Sequence, residues 1–138
     1  MKKMNNKGFS LVELIIVIAI MAILIAVLAP QYIKYVEKSR QSADLDNWQA
    51  IVNAIQVAYA DVENPVVGQT SVKANGKSAT LTADSSLVSA FASLGVDPAK
   101  ITMKSTAYSS ASIVAVETSG VVTLSCSDPS LKAALGLK

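Results

Sequence analysis

Between Phe9 and Ala29 the chain has a single charged residue, Glu13, and a single other polar one, Ser10. The rest of that segment is aliphatic. As a helix rising about 1.5 Å per residue it covers about 31 Å, enough for a bilayer core of about 30 Å. A carboxylate in such a segment is expensive, roughly 3 kcal/mol near mid-membrane and less toward the ends. An acid placed there needs a partner, and the identity of that partner is the main question the sequence poses.

The apolar excess is local. Hydrophobic residues make up 51% of the 138-residue chain and charged residues 16%, yet residues 30–138 have an ordinary composition rich in Ala, Ser, Thr and Val. Lys2, Lys3 and Lys7 all precede the Gly8–Phe9 step. That asymmetry orients a membrane segment with its N-terminus in the cytoplasm. The net charge of +2 is therefore a property of the leader, since nine basic and ten acidic side chains remain after residue 8. The chain has no histidine and one cysteine, Cys126. Imidazole bases, Cys-His nucleophiles and a Ser-His-Asp triad are thereby excluded, as is an intramolecular disulfide. No cofactor is expected.

Three readings compete for the first thirty residues. A cleaved secretory signal fits poorly, because Pro30 would follow a cut after Ala29 and Val27 stands where a small residue is wanted. A plain membrane anchor leaves Glu13 unexplained. The third reading uses every feature. The stretch Lys7-Gly8-Phe9-Ser10-Leu11-Val12-Glu13-Leu14 closely resembles the N-terminal signature of type IV prepilins and of the related pseudopilins of type II secretion and DNA-uptake machines. The resemblance covers about the first forty residues. It implies that a membrane aspartyl peptidase, the prepilin peptidase, cuts between Gly8 and Phe9 and methylates the new amino group of Phe9. It also implies that Glu13 and Phe9 act in subunit assembly, and that Pro30 is the helix-bending proline.

The chemistry agrees with that assignment. Cleavage would create an ammonium group on Phe9 about one turn from Glu13, and in a fibre the carboxylate of one copy can meet the ammonium of its neighbour. Removing one partner of such a buried pair costs roughly 3–5 kcal/mol, because the other charge is stranded. Pro30 lacks an amide donor and clashes with the preceding turn, which predicts a kink or a loosened stretch.

Beyond Pro30, apolar residues recur at Ile33, Val36, Leu45, Trp48, Ile51, Val52, Ile55, Tyr59 and Val62 with a period near 3.6, and Lys34, Lys38, Gln41, Asp44 and Asn53 fall between them. The helix is expected to run from Phe9 to about Val62, roughly 80 Å, and to end at Glu63-Asn64-Pro65. Its first half is apolar all round and its second amphipathic, with an exposed stretch expected at Ser39–Ala43. The organisation expected is a leader (1–8), an apolar helix (9–29), an amphipathic half (30–62) and a head (63–138).

In the head, Asn75-Gly76 marks a turn between short strands Ser71–Ala74 and Lys77–Leu81. A short helix carries Leu87, Val88, Phe91 and Leu94, capped by Thr82 or Asp84 and stopped at Gly95. Asp97-Pro98 begins a turn. Three strands, Ile101–Tyr108, Ala111–Thr118 and Val121–Ser127, form an antiparallel meander with Ser119-Gly120 between the last two. Asp128-Pro129 starts a final helix, Ser130–Leu135, closed by Gly136. The fold class expected is α+β, a long helix packed on a three-stranded sheet with short helices, as the pilin resemblance also implies. Many pilins close this region with a disulfide, which one cysteine cannot form, so Cys126 is expected to be a buried side chain near a strand end.

The acids are scattered without the spacing of a calcium loop, and no metal site is expected. Lys100, Lys104 and Lys132 read as solvated surface, and nucleic acid stays open as a partner. The expected function is a structural subunit that polymerises with other copies into an extracellular fibre supporting adhesion, aggregation, motility or DNA uptake. The resemblance implies an inner-membrane assembly platform and a cytoplasmic ATPase as indirect partners, and the membrane as the location before assembly. A pseudopilin and a membrane-anchored binding domain that never polymerises are the alternatives.

Overall fold

The computed structural model describes residues 8–61, 66–77 and 80–137. Residues 1–7 of the leader, the expected helix end at 62–65 and part of the Lys77–Leu81 strand lie outside the described residues. The structure divides into two compact units, one ending at Val36 and the other beginning at Glu37.

Helix α1 spans Leu11–Ala60. In the first unit none of its apolar side chains is buried, and the large ones from Leu11 to Leu28 are between 42 and 73% exposed. The helix is long and apolar enough there to cross a membrane. It stays helical through Pro30, although the Ala26 carbonyl loses its amide donor at that position.

In the second unit α1 buries Trp48, Ile51, Val52, Ala54, Ile55 and Ala58. These positions recur every three or four residues, so they form one stripe. The stripe joins a single core with Val72, Leu81, Ile113, Ala115 and Leu124 from the sheet and Leu87, Phe91 and Leu131 from two short helices. Ile33, expected in the stripe, is 67% exposed.

Among the described residues the sheet has four antiparallel strands in the order β2-β1-β3-β4, with β1 Gln69–Ala74, β2 Leu81–Ala83, β3 Ser112–Thr118 and β4 Val121–Cys126. In β3 the buried residues Ile113 and Ala115 alternate with half-buried ones, as a strand with one core face requires. Ser119 and Gly120 connect β3 to β4, both with positive φ (54° and 79°). That is the geometry of a two-residue type I′ hairpin turn.

The expected meander needs correction. The sheet has four strands rather than three, and Ile101–Tyr108 is not one of them; β1 pairs with β3 in its place. The reason lies in α1. Asp44, fully buried, accepts hydrogen bonds from the Lys104 amide (2.9 and 3.1 Å) and the Ser105 amide (2.7 Å). Glu37 accepts from the Thr106 amide (2.7 Å). Amides committed to these carboxylates are withdrawn from strand pairing. Asp44 was expected on the polar face; it is buried because three charge-assisted bonds compensate its desolvation.

Helix α2 spans Ser85–Ser93. Asp84 sits at its N-cap position, where its backbone carbonyl accepts from the Leu87 and Val88 amides but its side chain makes no cap bond; the carboxylate instead accepts from the Ser71 amide. The helix ends in a Schellman motif, with Gly95 N–H on Ala92 O (3.2 Å) and Val96 N–H on Phe91 O (3.0 Å). A 3₁₀ turn, Pro98–Lys100, follows, with Asp97 accepting from the Ala99 amide. Helix α3, Pro129–Ala134, is capped by Asp128 and closed at Gly136 in the same way as α2.

Tyr59 ties α1 to the sheet. Its hydroxyl donates to Gly68 O (2.9 Å), lies 2.9 Å from the buried Thr70 Oγ1 and is 3.4 Å from Ala115 O. Tyr59→Phe is expected to cost about 1–2 kcal/mol in urea unfolding, with an unchanged m-value. Trp48 carries an opposing cost, since its indole N–H is buried without a hydrogen-bond partner among the described residues.

The C-terminal cap carries a pH dependence. The Ser130 hydroxyl first, then the Leu131 amide, hold the Asp128 carboxyl below its ordinary range. A depressed folded pKa gives stability that is present above about 3.9, the unfolded value, and lost as pH falls through the folded one. The Ser130 and Leu131 amide resonances should therefore titrate with a midpoint below that of a free aspartate; a midpoint at or above it would contradict the cap. Cys126, at the end of β4, is half-buried rather than buried. Burial pushes its thiol up, so it stays protonated at neutral pH.

Candidate functional site

Ser10 begins the site. Its hydroxyl accepts from the Val12 amide (3.3 Å), and the Glu13 Oε2 accepts from the Ser10 amide (2.9 Å). This is a capping box in which the serine hydroxyl takes the second helical amide instead of the third: serine and glutamate, three residues apart, each satisfy an amide that the helix start leaves unpaired. The carboxylate also faces the positive end of the α1 dipole. Glu13 is thus held at the first turn of the apolar helix, at the edge of the lipid-sized segment.

Gly8 and Phe9 precede the helix and are exposed, Phe9 by 87%. The amide that Glu13 grips belongs to the residue directly after Phe9, so the carboxylate stands one peptide unit from the bond expected to be cut. Pro30 lies far along the helix and has no part in this cluster. The other five glycines all have positive φ. At Gly8 an added Cβ would meet nothing within 4 Å among the described residues. Packing among the described residues does not call for glycine at position 8.

Ser10 escaped the sequence reading, although Ser-x-x-Glu ahead of an apolar run is a legible signal. Ser10→Ala is expected to cost about 1 kcal/mol at the helix start, read as roughly fivefold faster amide exchange at Val12 in detergent. Ser10→Thr should restore the native rate.

Residues 3–29 match the family model for the prokaryotic N-terminal methylation motif. The chain is 45% identical over 57 residues to the type IV major pilin protein PilA of Myxococcus xanthus, a match covering 41% of this chain and 26% of that protein. It is 38% identical over 66 residues to the type IV major alpha-pilin of Moraxella bovis, covering 48% and 42% respectively. The match to the fimbrial protein EcpC of Eikenella corrodens is longer, 38% identity over 111 residues, or 77% of this chain and 68% of the relative. The chain thus spans less than half of the first two relatives and two thirds of the third. No solved structure matches. A methylation motif at the helix start, carried by an α+β fold with a long N-terminal helix and extended by a relative aligned over most of both chains, shows that this chain belongs to the type IV pilin family.

Proposed function

We propose that the chain is inserted in the cytoplasmic membrane with its N-terminus inside, cut between Gly8 and Phe9 by a prepilin peptidase, and methylated on Phe9. It then polymerises with other copies into an extracellular pilus. The observation that carries this reading is the pairing of an unburied apolar helix with a carboxylate fixed at its first turn. An apolar surface of that extent is not left in water. Lipid covers it before assembly, and neighbouring copies of the same helix cover it in the fibre.

Gly8 supports the cleavage step, because a glycine that packing among the described residues does not require suits an enzyme's cleft that admits no side chain. Once cut, the Phe9 ammonium lies next to the Ser10 amide that Glu13 already holds. The carboxylate can then exchange its own cap for the ammonium of an adjacent copy, which fixes the stagger between subunits. The fibre core is held by apolar burial at roughly 25 cal/mol per Å². The subunit itself supplies no catalysis, and energy for assembly comes from a platform and an ATPase elsewhere. Pro30, with one helical hydrogen bond missing, is the point where α1 yields first when helices are bundled. Relatives named as major pilins favour a surface fibre over a pseudopilin.

Mass spectrometry of the N-terminal peptide from sheared surface filaments tests the proposal. The expected peptide begins at Phe9 and carries one N-methyl group. Recovery of the chain only from membranes, with Met1 to Gly8 still attached, would contradict it.

A further inference from the structure

The apolar run of α1 ends at Ala29, and soon after it come Tyr32, Ile33, Lys34 and Tyr35. Four consecutive residues complete one turn, so these side chains encircle the helix. All four are exposed, Tyr32 by 71% and Tyr35 by 74%. Among the described residues no hydrogen bond or ion pair engages either hydroxyl or the Lys34 ammonium. The chain's other tyrosines are used differently: Tyr59 is bonded to Gly68 and Thr70, and Tyr108 is buried. Tyrosine and lysine share one property here, an apolar body with a polar tip.

Position decides what such a ring can meet. From Phe9 to Tyr32 the helical rise is about 35 Å, and the bilayer core is about 30 Å. With Phe9 at the cytoplasmic surface, the Tyr32–Tyr35 turn reaches the opposite headgroup layer. We infer that Tyr32, Lys34 and Tyr35 form a phospholipid-headgroup collar that sets the depth of the unassembled subunit in the membrane. The two hydroxyls donate to phosphate and ester oxygens, the Lys34 ammonium pairs with phosphate, and the rings and the lysine stem lie against the outer ends of the acyl chains. The inference rests on the membrane reading above and adds to it a specific outer anchor.

The test uses the full chain with Cys126→Ser and single cysteines introduced one at a time between Ile15 and Val36. The protein is placed in vesicles of phosphatidylglycerol and phosphatidylethanolamine with short or long acyl chains and labelled with a membrane-impermeant maleimide. Thermal unfolding followed by circular dichroism verifies that the head is folded in every variant. With a collar, the step from protected to labelled positions stays at the Tyr32–Tyr35 turn in both bilayers, because the helix tilts to keep its anchor at the interface. In the triple variant Tyr32→Ser, Lys34→Ser, Tyr35→Ser the step should move with bilayer thickness by about one turn. Tyr32→Trp with Tyr35→Trp should restore the fixed step. A native step that already drifts with thickness would overturn the collar. So would a triple variant that inserts like the native chain yet fails to form filaments, since the ring would then serve contacts between copies. Labelling of every position from Ile15 onward would overturn the membrane reading itself.

Discussion

Glu13→Ala is expected to give a chain that is inserted and cleaved normally but forms no filaments. In the fibre the loss strands the Phe9 ammonium of a neighbouring copy, at roughly 3–5 kcal/mol. That weakens each subunit addition about a hundredfold or more. Glu13 also has a local duty, since its carboxylate accepts from the Ser10 amide in the single chain. Glu13→Gln separates the two roles. Glutamine serves a capping box almost as well as glutamate but carries no charge. If charge pairing drives assembly, Glu13→Gln should fail nearly as completely as Glu13→Ala while keeping native amide exchange at Ser10. Normal filaments from Glu13→Gln would mean that the cap, and not the charge, is what assembly requires. The measurement is a count of sheared filaments alongside N-terminal mass analysis of the membrane fraction.

The largest effect on the head should come from Asp44→Ala. The substitution leaves the Lys104 and Ser105 amides without acceptors at a position where Asp44 is fully buried. Unsatisfied donors of this kind cost about 1–3 kcal/mol each, so a total of about 2–4 kcal/mol is expected. For a head of this size that corresponds to roughly 10–20 °C in Tm. Trp48, one turn along α1 and fully buried, reports the transition by its fluorescence. Asp44→Asn keeps one acceptor oxygen and should fall between the two. A native Tm for Asp44→Ala would show that the 104–106 segment is held by something other than the carboxylate.

What the sequence disclosed and what it concealed divide by range of interaction. Gly95, Gly136, Ser119-Gly120 and Asp128-Pro129 each act within five residues, and each marks the turn or helix end that the structure contains. The stripe from Trp48 to Ile55 was legible for the same reason, because helical periodicity is local. The Ile101–Tyr108 segment was not. Its β-like composition is overruled by Asp44, sixty positions earlier in the chain, and no local pattern announces that a carboxylate on a polar-looking face will turn inward. The Ser71–Ala74 strand was expected, but its place in the sheet was hidden likewise, since β1 is recruited by β3 through pairings such as Val72 with Ile113. At the N-terminus the motif, which the family model matches over residues 3–29, made candidates of Gly8, Phe9 and Glu13 together, whereas Ser10 passed as one polar residue among aliphatic ones. Its role emerges only when the backbone shows which amides the helix start leaves unpaired.

Cryo-microscopy of purified filaments tests most directly whether the Glu13 carboxylate pairs with a processed neighbour. The filament should show α1 helices at its axis, with the Glu13 carboxylate within about 4 Å of the methylated Phe9 nitrogen of an adjacent subunit. A filament in which Glu13 keeps its own Ser10 cap and every Phe9 nitrogen lies far from a carboxylate would contradict it.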